Sequence, residues 1–293
     1  IAGKTGKMKI LFIGATGMLG KPVARQLIAA CHDITLFGRD ENKMKALFPT
    51  STTITGDIFN KDNLLKALKG QDAVYMNLSV PQKSKEKHLQ PEREGIDNII
   101  AAGKEVGIKR IANISSLVHL YQGMNGFDWW AFRIKHDAIE KIKKSGIPYS
   151  IFYPSTFMET LPYQVMRGKK IAVMGKSQFP MWFIAANDFG RQVARSFEIL
   201  TTENREYNVQ GPEPLDFNQA ATVFINNYQK AKLSVQRLPA GLVKFLGNFK
   251  QQLNYVWHIC EALNKYPEKF ESQPTWNELG TPTTRLADFA RSL

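Results

Sequence analysis

The apolar positions of the chain change period several times, and the sharpest change comes near its start. Residues 10–13, Ile-Leu-Phe-Ile, form an unbroken apolar run of the kind buried on both faces of a parallel sheet. Directly after it, Leu19, Val23, Leu27 and Ile28 recur at helical spacing. The alternation continues. Strands are predicted over 33–37, 52–55, 73–77, 110–114 and 149–153, with helices over 41–47, 61–68, roughly 86–106 and 128–144. Strand and helix in turn, with no internal repeat, predict an α/β chain with an open, doubly wound parallel sheet and right-handed crossovers. Beyond Pro154 the pattern breaks, and Pro162, Gly168, Gly175 and Pro180 punctuate short pieces before a helix over 188–200 and a strand over 207–209. Residues 212–293 carry further helical patterns interrupted by prolines. The expected division is a sheet domain of 8–153 with 187–211, and a smaller, mixed α/β C-terminal substrate lobe of 154–186 with 212–293 that closes over a ligand.

The switch from strand to helix holds three glycines, Gly14, Gly17 and Gly20, with Thr16, Met18 and Leu19 between them. In a strand–turn–helix context this is a dinucleotide site, and the sheet reads as a Rossmann sheet. Gly14 makes the tight turn, Gly17 lets the backbone approach a pyrophosphate, and Gly20 packs helix on strand. The phosphates sit on the helix N-terminus, whose free N–H groups favour an anion. At the end of the second strand stands Arg39, where an acidic residue would hold the ribose hydroxyls of NAD; an arginine there suits the 2′-phosphate of NADP. NADP is therefore expected over NAD, with Lys43 able to add a second charge. Asp40 reads as the N-cap of the next helix. Asp57, followed by Ile58, is expected either to accept from the adenine amino group or to serve as a turn residue. Ligands in such sheets lie beyond the carboxyl ends of the strands, which places Asn77, Leu78, Ser79 and Ser115 in the cofactor layer.

The 39 Lys and Arg against 26 Asp and Glu leave a net charge of +13, which suits an anionic ligand. These charges are scattered, and no helix-turn-helix, zinc-finger or RNA-binding signature accompanies them, so nucleic acid is not an expected partner. No run approaches the roughly 18 apolar residues of a membrane span, and no membrane partner is expected. Residues 1–7 contain two lysines and no apolar core, and read as a remnant or short extension before Met8 rather than a signal peptide. Two distant cysteines, Cys31 and Cys260, predict a reducing, cytoplasmic setting. The five histidines lack metal-ligand spacing, and no metal is expected.

Beyond these readings the chain resembles the NmrA-like atypical short-chain dehydrogenase/reductases, which include isoflavone-reductase-like and quinone-reductase-like enzymes as well as NADP-sensing regulators. The resemblance runs from Met8 to about Val223 and rests on Gly14-Ala-Thr-Gly-Met-Leu-Gly20, Gly56-Asp57, Ile114-Ser-Ser116, Ser145-Gly-Ile-Pro-Tyr149, Tyr153-Pro-Ser-Thr-Phe-Met-Glu159, Asn187-Asp188 and Tyr207-Asn-Val-Gln-Gly-Pro212. It adds Tyr153, Pro154 and Phe157 to the cofactor's surroundings. It also implies that Lys135 orients the nicotinamide ribose or supplies a proton, so that Lys135 belongs to both the cofactor and the catalytic set. The tyrosine that the wider superfamily carries four residues earlier is Ala131 here, and the serine position is Leu117. His119 and Tyr121 are the alternative acids. Trp129, Trp130 and Phe132 read first as core at this density, the alternative being that one of them lines an apolar substrate cavity with Phe157, Met158, Met181, Trp182 and Phe183. The resemblance implies an NADPH-dependent reductase of a small apolar carbonyl or quinone. Its alternative is a non-catalytic NADP sensor that binds a protein partner according to cofactor state.

Overall fold

Alternate residues of the first strand, β1 (Lys9–Ile13), face two separate apolar layers. Ile10 and Phe12 join one cluster, and Leu11 and Ile13 join the other. A strand buried on both faces needs no polar position, which is why its sequence shows a continuous run. In the computed structural model, residues 7–199 and 202–293 are described, so that apart from Lys7 the expected N-terminal extension lies outside the described residues.

The elements follow in order as α1 (Gly20–Ala29), β2 (Asp33–Gly38), α2 (Glu41–Leu47), β3 (Thr52–Thr55), α3 (Lys61–Leu68), β4 (Ala73–Met76), α4 (Ile96–Val106), β5 (Arg110–Ile114), α5 (Trp130–Lys143) and β6 (Tyr149–Pro154). Next come β7 (Met166–Arg167), β8 (Lys170–Met174), β9 (Met181–Trp182), α6 (Ala186–Glu198), β10 (Arg205–Val209) and β11 (Pro214–Leu215). The chain closes with α7 (Phe217–Asn227), β12 (Ser234–Leu238), α8 (Ala240–Gly247), α9 (Gln251–Lys265), α10 (Gln273–Leu279) and α11 (Leu286–Arg291).

Seven strands form one parallel sheet in the order β10-β6-β5-β4-β1-β2-β3. This is the doubly wound Rossmann order with one strand added at an edge, and the order of strand addition reverses between β1 and β4 while all strands stay parallel. α1 and α6 contribute Val23, Leu27, Phe189 and Val193 to one layer; α3, α4 and α5 contribute Leu64, Ile99, Ile139 and Ile142 to the other. Local signals set the helix starts: the Asp40 carboxylate accepts from the Lys43 N–H, as expected of an N-cap, and Asn60 does the same for the Asn63 N–H.

Beside the sheet lies the smaller mixed α/β lobe. β8 pairs antiparallel with β7 and parallel with β12, while β9 pairs with β11. α7 and α11 bury Phe224 and Leu286 with Met158, Phe183 and Ile171. The C-terminal segment returns to the sheet: buried Glu268 accepts from Ser155 Oγ and the Gln210 amide, and Asp188 Oδ2 accepts from the N–H groups of Thr283 and Thr284.

Three of the expected helices shift their bounds, and the strand expected over 207–209 begins at Arg205. The helix expected over 86–106 begins only at a π-helical turn, Pro91–Gly95, leading into α4. Pro91 pushes the preceding residue out of the helical region, and Gln90 is extended at φ −118° and ψ 133°. The helix expected from 128 starts at Trp130 because Trp129 is extended. That expected over 188–200 starts at Ala186 and ends at Glu198, while Leu200 lies outside the described residues.

Candidate cofactor and active site

The carboxyl ends of β1, β2, β4, β5 and β6 lie along one edge of the sheet, and the residues just beyond them form the site. The two outer glycines of the turn after β1 are required by the protein itself. Gly14 sits at φ +91°, and a Cβ on it would lie 2.3 Å from the Asn77 carbonyl oxygen; a Cβ on Gly20 would lie 2.0 Å from the Gly14 oxygen and 2.8 Å from Asn77 Nδ2. Gly17 differs. A Cβ there would meet only the Gly14 oxygen at 3.4 Å and Asn77 Nδ2 at 4.0 Å. Protein packing does not explain this glycine, whereas a ligand lying against the backbone does.

Beyond β2, Arg39 and Lys43 are exposed and take part in no salt bridge among the described residues. Lys43 stands in the first turn of α2. Beyond β3, Asp57 Oδ1 accepts from the Phe59 N–H, so it serves the turn with that oxygen; Ile58 packs on Gly95. Beyond β4, Asn77 and Leu78 are half-buried and Ser79 is exposed. Beyond β5, the Ser115 hydroxyl is buried with no hydrogen-bond partner. An orphaned hydroxyl in this layer and an open cradle at Gly17 together fit a dinucleotide. On the lobe side, Gln164 Nε2 approaches the sulfur of Met18 at 3.9 Å, so the lobe meets the glycine turn directly.

Lys135, in the second turn of α5, is not an ordinary surface lysine. Its ammonium is paired with Glu92, and the two side chains are 16% and 4% exposed. The other Glu92 oxygen accepts from the Val80 N–H at 3.0 Å, so one carboxylate fixes both Lys135 and the loop after β4. His119 is buried in a 3₁₀ turn, Leu117–Tyr121, where its Nδ1 donates to the Ser116 carbonyl and its ring stacks on Tyr153 at 5.8 Å. Burial pulls its pKa down to about 4, only partly opposed by the Ser116 contact, so the ring is neutral at pH 7. A cavity of about 270 Å³ lies beside it, lined by His136, Lys143, Tyr153 and Glu206. The Tyr153 hydroxyl donates to Glu206 at 2.7 Å. Tyr121 is packed against Phe127, with its hydroxyl 3.5 Å from the Asn125 amide. Phe157 is turned into the sheet layer against Phe189 at 5.5 Å, and Pro154 closes β6.

A family model described as NAD(P)H-binding matches residues 14–194, well over half of the chain. The chain belongs to this NAD(P)H-binding family. Among relatives within and around it, the photosystem II assembly factor Ycf39 of Synechocystis is 23% identical over 265 residues, covering 87% of this chain and 78% of that protein. A phenylcoumaran benzylic ether reductase of Pyrus communis is 24% identical over 280 residues, covering 88% and 86%. Among solved structures, an NADPH-dependent quinone oxidoreductase from Escherichia coli in complex with NADPH matches with a TM-score of 0.72 at 20% identity, covering 97% of this chain and 99% of that one. The triphenylmethane reductase of Citrobacter in complex with NADP(H) matches with a TM-score of 0.73 at 19% identity, covering 97% and 100%.

In this NAD(P)H-binding chain Trp129 and Phe132 are core, and the alternative of a shared substrate cavity is overturned. The aromatic and methionine side chains assigned to a common substrate cavity occupy three separate cores. Trp129 and Phe132 pack with Tyr121 and Phe127 and, on α9, Ala262 and Tyr255; Phe157 belongs to the sheet; Met158, Met181 and Phe183 belong to the lobe. Trp182 leans on Phe270 at 5.9 Å. Apolar type alone does not say which core a residue joins. Sequence reasoning also misses Glu92 and α9. Glu92 sits in an acidic, proline-led turn that reads as a solvated helix start, and its partner is 43 residues away.

Proposed function

We propose that the protein is an NADPH-dependent reductase that delivers hydride to a small, apolar, carbonyl- or quinone-like acceptor. The observation that carries this reading is the glycine cradle, open at Gly17 and flanked by Arg39 and Lys43 with no salt-bridge partner among the described residues. Two cations beyond β2 favour a 2′-phosphate over a bare ribose, and a charge-assisted bond contributes about 1.5–3 kcal/mol. The NADPH and NADP(H) complexes named above support the same choice. When bound, the cofactor supplies the hydride. The chain's own groups bind and orient: Ser115 offers a buried hydroxyl to the cofactor or acceptor, and Lys135 holds a positive charge beside the acceptor oxygen and delivers the proton to it. Glu92 fixes the place of that ammonium. Neutral His119 and packed Tyr121 rank behind Lys135 as acids.

A second reading is an NADP-responsive binding protein without turnover. Its support is specific, since Ala131 and Leu117, both buried, stand where the wider superfamily carries its tyrosine and serine. A screen of quinones, enones and related carbonyls with NADPH separates the two. We expect NADPH consumption above background with at least one acceptor, strongly reduced in Lys135→Met. Tight NADPH binding with no consumption on any acceptor would favour the sensor.

A further inference from the structure

α8 presents an apolar stripe outward. Leu242, Phe245 and Leu246 on the helix and Phe249 in the turn just beyond its end fall at positions i, i+3, i+4 and i+7, and are 53%, 59%, 38% and 74% exposed. The opposite side anchors the helix: Val243 and Gly247 are buried, and a Cβ on Gly247 would lie 3.1 Å from the Asn254 backbone of α9. Phe245 and Phe249 meet edge to face at 5.6 Å, so the stripe is an ordered surface. It stands in an unusual electrostatic setting. From residue 217 to residue 260 the chain has no Asp or Glu, while Lys230, Lys232, Arg237, Lys244 and Lys250 fall within that span, all of them exposed. The Lys244 ammonium lies 4.6 Å from the Trp257 ring centroid, at the flank of the same helix.

We propose that α8 is an interfacial helix that docks the protein on a membrane surface rich in anionic lipid. Phenylalanine and leucine on one face with lysine beside them is the composition of helices that lie in the headgroup boundary. One short apolar stripe binds weakly, and a basic flank supplies the second attraction that makes such docking stable. The stripe is a protruding helix face, so its partner needs apolar depth and negative charge more than a shaped groove. A second copy fits poorly, because a two-fold dimer through this face would bring two sets of the same five cations together. Among the described residues no helix is long and apolar enough to cross a membrane, but that does not bear on a helix lying on one.

Sedimentation of the full chain with vesicles tests the proposal. Phosphatidylcholine vesicles with and without roughly one-third phosphatidylglycerol are compared. We expect binding to the anionic vesicles and little to the neutral ones, with loss at about 0.5 M salt. Phe245→Ser with Phe249→Ser should lower binding by roughly tenfold or more. Lys244→Glu with Lys250→Glu should lower it by roughly fivefold or more. All four side chains are exposed, and NADPH binding by each variant serves as the check on folding. Failure of the parent to sediment, or equal binding to both vesicle types, would overturn the proposal. So would a dimer in light scattering that the phenylalanine substitutions dissociate while vesicle binding is absent.

Discussion

Arg39 and Gly17 carry the cofactor reading, and each can be tested alone. Arg39→Ala should cut the preference for NADPH over NADH by about tenfold or more, the weight of one charge-assisted contact; titration of both cofactors checks it, and an unchanged ratio would mean that Arg39 does not meet the 2′-phosphate. Gly17→Val and Gly20→Ala should fail differently. The first puts a side chain into the cradle, abolishing cofactor binding with the circular dichroism spectrum intact. The second drives a methyl into the Gly14 carbonyl and destabilises the fold before any ligand arrives. Lys135→Met removes one partner of a largely buried ion pair and leaves the Glu92 carboxyl without its cation, at a cost of about 3 kcal/mol. Adding Glu92→Gln should restore most of that stability without restoring turnover, which thermal melts and NADPH consumption read separately. Gly14 and Gly20 were legible because a strand that turns straight into a helix leaves no room for a side chain at those two places in the spacing. Glu92 was not, since charged residues are buried only when paired and the pairing is tertiary.

At the scale of elements, α6 begins on a buried acid. Glu159 follows β6, and one of its oxygens accepts from the Ala186 N–H at 3.0 Å while the other is buried without a partner. Burial pushes its pKa up to about 7 against the pull of that N–H. The folded state therefore holds a proton that the unfolded chain releases from about pH 4.5 upward. This contribution is full at low pH and is lost as the pH rises to about 7, by at most about 3 kcal/mol. His119 acts in the opposite sense: buried neutral with a pKa of about 4, it costs stability as the pH falls below about 6.5. Glu159→Gln should remove the first slope and expose the second, so that melts between pH 4.5 and 7 show a variant less tolerant of acid than the parent. A wild-type-like pH profile in the variant would show that the carboxyl is not proton-bound. Strands and crossover helices followed from hydrophobic period, because a sheet buried on both faces writes its layers into the sequence. Pro91 misled because it forces the residue before it out of the helical region, and Trp129 because its N–H is taken by the Gln122 side chain while its backbone stays extended. α9 carries half-buried residues whose partners, α8 and the 3₁₀ turn Leu117–Tyr121, no local pattern announces.

For the whole molecule, the sheet and the lobe are joined at the glycine turn, at Glu268 and at Asp188, so NADPH should stabilise them together. Saturation at about a hundred times the dissociation constant adds about 2.7 kcal/mol, or roughly 4–5 °C in melting temperature for a chain of this size. We expect a single transition that shifts as one in calorimetry, and no shift in Gly17→Val; two transitions, only one of them moved, would show that the lobe melts alone. The stitching at Glu268 bears also on biosynthesis. β10, one of the two outer strands of the sheet, pairs with β6 alone among the described residues, and its far side is covered by residues more than sixty positions later in the chain: Glu271 accepts from the Asn208 amide, Ser272 donates to the Asn208 carbonyl, and Trp276 donates to the Gln210 carbonyl. Until those residues emerge, a nascent sheet otherwise complete carries an open strand edge, the feature that recruits neighbouring chains into aggregates. Synthesis of the segment around 271–276 thus closes the seam, and a chain halted between β10 and that segment would already hold every strand of the sheet yet still depend on chaperones.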